Sequence, residues 1–346
     1  VTQVSASHSS LRIFLFSAVA SVLIFIGVGL GLGLQALVLT LILTAIEITF
    51  SFDNAIINAK LLGKLAPFWR TIFLTVGIVI AIFGMRVLFP VLIVMLTAHL
   101  GWHEVVNLAL HHPKEYAHHL EQAHTAISAF GGAFLLLLAL DFFMEDEREV
   151  YWIQRLERLL SRFSHWLIAP VIVAAAVIGL AVLPANDRGS TTLLAGLLGA
   201  ATFIGLKGID ALFAKLQGTR AKGANQTGLA ALSTLLYLEV LDASFSFDGV
   251  IGAFAITSDV ILIAAGLGIG ALWVRSLTVY MVRKQALTKY IYIEHGAHYT
   301  VLMLAIILLL SILHEVSDLV PGLAGLAIIG ASVIASVQAR RGRVKT

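Results

Sequence analysis

Ten stretches of about 20 mostly apolar residues dominate this 346-residue chain. They cover about 11–30, 34–59, 69–98, 125–144, 166–184, 191–214, 229–256, 259–282, 296–313 and 320–338. A run of that length crosses a hydrocarbon core as a helix, because a helix satisfies its backbone polar groups without water. The runs are continuous rather than alternating, and longer than barrel strands. The expected fold is therefore an all-α polytopic membrane protein with about ten transmembrane helices. Composition agrees: 59% of residues are hydrophobic and 12% charged, against roughly a quarter charged in soluble domains. The absence of cysteine excludes disulfide staples, Cys-ligated zinc, Fe–S clusters and thiol catalysis. No small-residue cleavage site follows the first stretch, which is expected to be a span rather than a signal peptide.

The cationic side chains orient the spans. With ten of them, eighteen of the 23 Lys and Arg residues fall on one side, from Arg12 through the Arg340–Lys345 tail. Only Lys114 and Arg188 fall on the other, while Arg86, Lys207 and Arg275 lie within spans. The positive-inside rule then puts both termini in the cytoplasm of a multi-pass inner (plasma) membrane protein. The net charge of +3 is accounted for by this bias and calls for no nucleic-acid partner.

The chain repeats itself. Glu47-Ile48-Thr49-Phe50-Ser51-Phe52-Asp53-Asn54 matches Asp242-Ala243-Ser244-Phe245-Ser246-Phe247-Asp248-Gly249. Each copy places an acid six residues before the Asp of Phe-Ser-Phe-Asp. Each lies in the second helix of a five-helix half and is followed by a helix with one arginine, Arg86 or Arg275. Five is odd, so the halves, 1–185 and 186–346, are expected to be inverted relative to one another. Inverted repeats characterise secondary transporters, with the site near the midplane where the halves meet.

Seven acids lie inside the spans: Glu47, Asp53, Asp141, Asp210, Glu239, Asp242 and Asp248. A charge near the bilayer centre costs at least about 2.5–3.5 kcal/mol, so such residues line a pathway, pair with a cation or hold an ion. The three intramembrane cations cannot neutralise all seven. Asp210, at i+3 from Lys207, is the best case for simple pairing, and Asp141 is an interfacial acid. A six-residue step rises about 9 Å and leaves the two acids about 120° apart on a regular helix. Either the helices unwind at Ser51 and Ser246, or the antiparallel motif helices pair their acids, Glu47 level with Asp248 and Asp53 with Asp242. Facing carboxylate layers joined by some unwinding are expected, with Glu239 one turn further in and Asn54 making the site asymmetric. Oxygen ligands of this kind suit Mn²⁺, Mg²⁺ or Ca²⁺. A metal-free proton relay is the alternative.

At these residues the chain resembles the TerC family of integral membrane proteins, within the LysE-like exporter superfamily. The resemblance rests on Glu47…Ser51-Phe52-Asp53-Asn54 and on Glu239-Val240-Leu241-Asp242…Ser246-Phe247-Asp248. Phe130-Gly131-Gly132-Ala133-Phe134 and Tyr292-Ile293-Glu294-His295-Gly296-Ala297-His298-Tyr299 resemble a divergent branch of unknown function. It covers roughly residues 35–335. The resemblance implies divalent-metal export, chiefly of manganese, with Glu47, Asp53, Glu239, Asp242 and Asp248 as metal acids. The chain departs from the pattern at Gly249, which gives Asn54 no counterpart, and in its long His-rich loop.

That loop, 99–124, holds seven of the twelve histidines. If Pro113 opens a helix, His111, Glu115, His118 and Gln122 share a face, a candidate outer metal-collecting surface; a solvated polar loop is the plainer alternative. Glu294, His295 and His298 sit at the inner mouth of the ninth span, and His314, Glu315 and Asp318 at its outer end. Glu145–Trp166 is expected to be an amphipathic inner-surface helix. Gly27, Gly29, Gly31 and Gly33 are expected to serve packing or a tight turn. No Walker, HExxH or GxSxG motif occurs, so no enzyme and no organic cofactor are expected.

The expected function is secondary transport of a divalent cation, Mn²⁺ export by alternating access. Expelling two charges against 100 mV takes about 4.6 kcal/mol, at about 2.3 per charge, and proton antiport is a natural driver. Two rivals are a membrane scaffold that metalates secreted proteins beside secretion machinery, and a LysE-style small-solute exporter. Homo-oligomerisation is a further candidate partnership.

Overall fold

The computed structural model describes residues 7–145, 148, 150–163, 165–217, 226–257, 259–314, 316 and 319–343. These residues are helical almost throughout. In chain order the helices are α1 (Ser7–Leu32), α2 (Leu34–Phe50), α3 (Phe52–Lys64), α4 (Pro67–Val79), a π-helical segment (Ile80–Leu88), α5 (Phe89–Ala98), α6 (Trp102–His111) and α7 (Pro113–Phe143). They continue as α8 (Gln154–Ser161), α9 (Ile168–Val182), α10 (Gly189–Gln217), α11 (Gly228–Ile256), α12 (Val260–Arg283), α13 (Ala286–Lys289), α14 (Ile293–Ser311) and α15 (Leu319–Arg343).

Among the described residues, eight helices are long and apolar enough to cross a membrane, and nine if the bent pair α2–α3 is one span. Large apolar side chains lie exposed along them, such as Leu15, Phe16, Val19, Leu23 and Leu30 of α1. A soluble protein does not display such a face; lipid covers it. This is a multi-pass membrane protein. The fifth expected span, 166–184, is a helix of only 15 residues, Ile168–Val182. At 1.5 Å per residue it rises about 22 Å, short of a hydrocarbon core of about 30 Å.

The chain forms two compact units. One comprises the chain through Gly63 with Pro67–Gln122 and Phe245–Ala286; the other comprises Lys64–Ala66, Ala123–Ser244 and the chain from Leu287 onward. Each therefore draws on segments distant in sequence.

In the first unit, α12 is the central helix. Its Gly266 and Gly270 leave no room for a side chain: a Cβ there would come within 2.5 Å of Leu43 Cβ and of Glu47 Cβ of α2, respectively. Small residues four apart let two helices meet backbone to backbone, the usual substitute for a hydrophobic driving force within lipid. Hydroxyls add to this packing. Thr44 donates to the Gly266 carbonyl at 3.1 Å, Ser17 of α1 donates to the Leu272 carbonyl at 2.9 Å, and Trp273 Nε1 donates to Ser21 at 2.9 Å. Gly33, at φ 90°, makes the turn from α1 into α2. Gly27 and Gly31 face open space, and Gly29 only touches Leu37.

In the second unit, α7 packs on α14 and α10 through glycines. A Cβ on Gly132 would lie 2.8 Å from Leu309 Cγ, and one on Gly199 would strike the Phe130 backbone. Phe134 stacks edge-on against Phe203, at 5.5 Å between centroids. The Phe130–Phe134 motif thus has a packing role. Gly296 and Gly325 likewise receive Ser332 and Thr300 where α14 meets α15.

Candidate functional site

The site grows from a break in an apolar helix. α2 and α3 meet at Ser51 with a bend of 51°. Ser51 leaves the helical region (φ −96°, ψ 13°), though its N–H still reaches the Glu47 carbonyl at 3.0 Å. Its hydroxyl donates to Glu47 Oε1 at 3.0 Å. That bond ties the carboxylate to the break, while the Ser51 N–H and C=O keep their helical partners, Glu47 and Ala55. The break expected at Ser51 is present as a bend rather than as an unwound stretch with freed carbonyls. The matching break at Ser246 is not: α11 is helical from Gly228 to Ile256.

Glu47 is 2% exposed, and its carboxylate has a dedicated counter-ion. Arg86 donates to Glu47 Oε1 and, through its other terminal nitrogen, to the Ala81 carbonyl at 2.6 Å. That carbonyl lies five residues back, the step of the π-helical segment Ile80–Leu88 that carries Arg86. π-turns inside longer helices occur often at functional sites. Gly270 makes space for the Glu47 stem, and a Cβ on Gly249 would lie 3.2 Å from Glu47 Oε2. α11 therefore passes Glu47 at the level expected for Asp248. The side chains of Ser246 and Asp248 lie outside the described residues.

On the far side of the break, Asp53 and Asn54 are each 2% exposed, and Asn58 is 3% exposed. Asp53 sits in the first turn of α3, where a helix N-terminus favours an anion. Its Oδ1 accepts the Asn54 N–H at 2.9 Å. Among the described residues, no Lys, Arg or His pairs with Asp53. Asp242 and Glu239 lie on α11 in the second unit, Asp242 buried and Glu239 half-buried. Among the described residues, no three His, Asp or Glu side chains gather into a metal-holding group.

The intramembrane cations choose partners that spacing alone does not reveal. Lys207 pairs with Asp141 across to α7; the Asp210 side chain lies outside the described residues. Arg275 donates to the Phe73 carbonyl, its guanidinium 3.5 Å from the centre of the Phe73 ring. This cation–π contact covers its face in apolar surroundings.

Outside the spans, the amphipathic helix expected over Glu145–Trp166 is shorter. α8 covers Gln154–Ser161, because Glu157 turns inward. Glu157 is fully buried and accepts from the Trp152 and Ile153 N–H groups at 3.1 Å each and from the Tyr299 hydroxyl at 3.0 Å. His295 Nε2 lies 3.4 Å from Glu157 and donates to the Val150 carbonyl at 2.9 Å. His298 donates to the Glu294 carbonyl and stacks on Phe142. Arg148 lies over the other contact surface of that ring, 3.3 Å from its centre. Burial lowers the Arg148 pKa, opposed by Glu145, Glu294 and Glu157. The His295–His298 motif is thus bound into a structural latch rather than open at a mouth.

In the His-rich segment, Pro113 opens α7 as expected, but His111 ends α6, so His111 and His118 lie on different helices. His118 meets Gln122 at 3.1 Å and Glu121 at 3.9 Å; Glu115 lies in the first turn of α7. Glu315 and Asp318 lie outside the described residues.

A family model described as a protein of unknown function (DUF475) matches residues 52–343, well over half the chain. The chain belongs to the DUF475 family. No curated protein and no solved structure matches it. The DUF475 match takes in Asp53, Asn54, Asn58 and the whole second motif, and begins just after Glu47 and Ser51.

Spacing missed Asn58, Phe73 and Glu157. For Asn58 a signal existed: positions 47, 51, 54 and 58 are polar at steps of four, three and four, one face of a helix.

Proposed function

We propose that this protein is a secondary transporter of hard divalent cations, with Mn²⁺ as the leading substrate. The observation that carries the reading is Asp53: a buried carboxylate, beside a break in an apolar span, that no basic side chain among the described residues neutralises. A charge kept there without a fixed partner is expensive, and a cationic substrate supplies the partner. Broken helices are where secondary transporters hold coupling ions and substrates. Carboxylate and amide oxygens at Asp53 and Asn54 suit Mn²⁺, Mg²⁺ or Ca²⁺.

Asp248 of α11 is a further ligand in this reading, and the TerC-like motifs imply metal-binding roles for Glu239 and Asp242. Manganese as the cargo, and export as the direction, rest on the TerC-like motifs. Ten spans with both termini cytoplasmic, and inversion of the two halves, belong to the same reading. Glu47 is then held by Arg86 in this conformation and joins the site only if that pair opens. Protons are the natural counter-substrate, because carboxylates that release metal take them up.

The test is Mn²⁺ flux into proteoliposomes with and without a proton gradient, for wild type and Asp248→Asn. Gradient-dependent wild-type flux that the variant lacks supports the reading. Mn²⁺ binding without flux in wild type moves the assignment to a metal-loading scaffold.

A further inference from the structure

We infer that Asn58 is the cytoplasm-side cation ligand of the path, the first protein oxygen of the broken span that an exported divalent ion meets. This deepens the transport reading and rests on it.

Glu47, Ser51, Asn54 and Asn58 follow one another at helical spacing through α2 and α3, and all four are buried. A polar stripe on one face of a span marks a pathway or a partner helix. Its upper part is engaged: Ser51 and Arg86 hold Glu47. Its lower end is not. The Asn58 side-chain oxygen is buried with no hydrogen-bond partner, in a residue 3% exposed. Leaving a buried amide oxygen so is unfavourable, because it has given up water without a replacement. Buried unsatisfied groups are rare in folded proteins, and an absent ion is one standing reason for them.

The chemistry fits a transit ligand. Asn58 lies four residues beyond Asn54, about 6 Å along the helix axis. Past it the helix surface becomes cationic, at Lys60 and Lys64. A neutral amide oxygen replaces one water of a hard cation without adding charge. It binds weakly enough to release, the condition for conduction from site to site. A carboxylate at the same place would hold a divalent ion longer. An imidazole would favour softer ions such as Zn²⁺.

The test is initial-rate uptake by proteoliposomes of Mn²⁺, and of Mn²⁺ against Zn²⁺, for wild type, Asn58→Leu, Asn58→Asp and Asn58→His. Asn58→Leu is expected to lower kcat/KM for Mn²⁺ at least tenfold. Asn58→Asp is expected to lower both KM and kcat, and Asn58→His to shift preference toward Zn²⁺. A purely structural amide would not move selectivity or split KM from kcat. If Asn58→Leu fails to fold, the Asp and His variants carry the test. Wild-type KM, kcat and selectivity in the folded variants would overturn the assignment of Asn58 and leave the transport reading standing. No Mn²⁺, Mg²⁺ or Ca²⁺ uptake by wild type would overturn both.

Discussion

Arg86 donates to the one oxygen of Glu47, Oε1, that also accepts the Ser51 hydroxyl. A carboxylate, a guanidinium and the helix break are thereby tied at a single atom inside the apolar span. Both charged side chains are almost wholly buried, so neither can exchange its partner for water. The pair fixes the geometry on one side of the break, while Asp53 on the other side has no basic partner among the described residues.

Removing one partner of this pair should therefore be severe. Arg86→Met leaves a bare buried carboxylate and is expected to cost about 3–5 kcal/mol, read as a fall in Tm of the detergent-purified protein. Adding Glu47→Gln to it removes that charge and should restore most of the loss. Simple additivity of the two changes would mean that the pair does not act as a unit.

The approach of α2 to α12 predicts a matched contrast. Gly270→Ala drives a methyl group into the Glu47 stem and should destabilise by about 1–3 kcal/mol. Gly27→Ala, where a Cβ meets nothing within 4 Å, should leave Tm unchanged or slightly raised. Equal effects at the two positions would refute the packing described.

Glu157 offers a third test. Its carboxylate closes the chain around residues 150–157 onto α14 through two backbone N–H groups and Tyr299. Glu157→Ala strands those donors and is expected to cost about 2–4 kcal/mol, since each lost bond leaves a buried donor at about 1–3 kcal/mol. Tyr299→Phe should cost only about 1 kcal/mol. Limited proteolysis within 145–166 reads the release directly: fast cleavage in Glu157→Ala and slow cleavage in Tyr299→Phe and wild type are expected.

Much of this was legible in the sequence, for identifiable reasons. Long apolar runs have one solution in lipid, so helices and membrane class followed from α1, α7, α12 and α14 alone. The break at Ser51 followed from two acids six residues apart, which a regular helix cannot aim together. Its twin at Ser246 did not occur, although the local sequences are nearly alike. Ser51 and Arg86 both hold Glu47, whereas the same stretch of α11 runs on as regular helix. The shortness of α9 was hidden by apolar residues that continue past its ends. Partner choice was least legible: Lys207 reaches Asp141 on another helix, and Arg275 takes a carbonyl and a ring of Phe73. Those contacts are set by tertiary packing, and no local spacing encodes them.

A buried carboxylate with no basic partner among the described residues, as at Asp53, is a liability to stability. Asp53→Asn should raise Tm, by about 0.5–2 kcal/mol of stability, in the way that stabilising changes at functional sites do at the expense of activity. A lowered Tm would indicate that Asp53 is chiefly structural.

The most direct measurement is Mn²⁺ uptake by proteoliposomes holding equal amounts of wild type and Asp53→Asn. Saturable uptake by wild type and none by a folded Asp53→Asn is the predicted result. Equal uptake by both would contradict the central claim that the carboxylate beside the Ser51 break carries the cation.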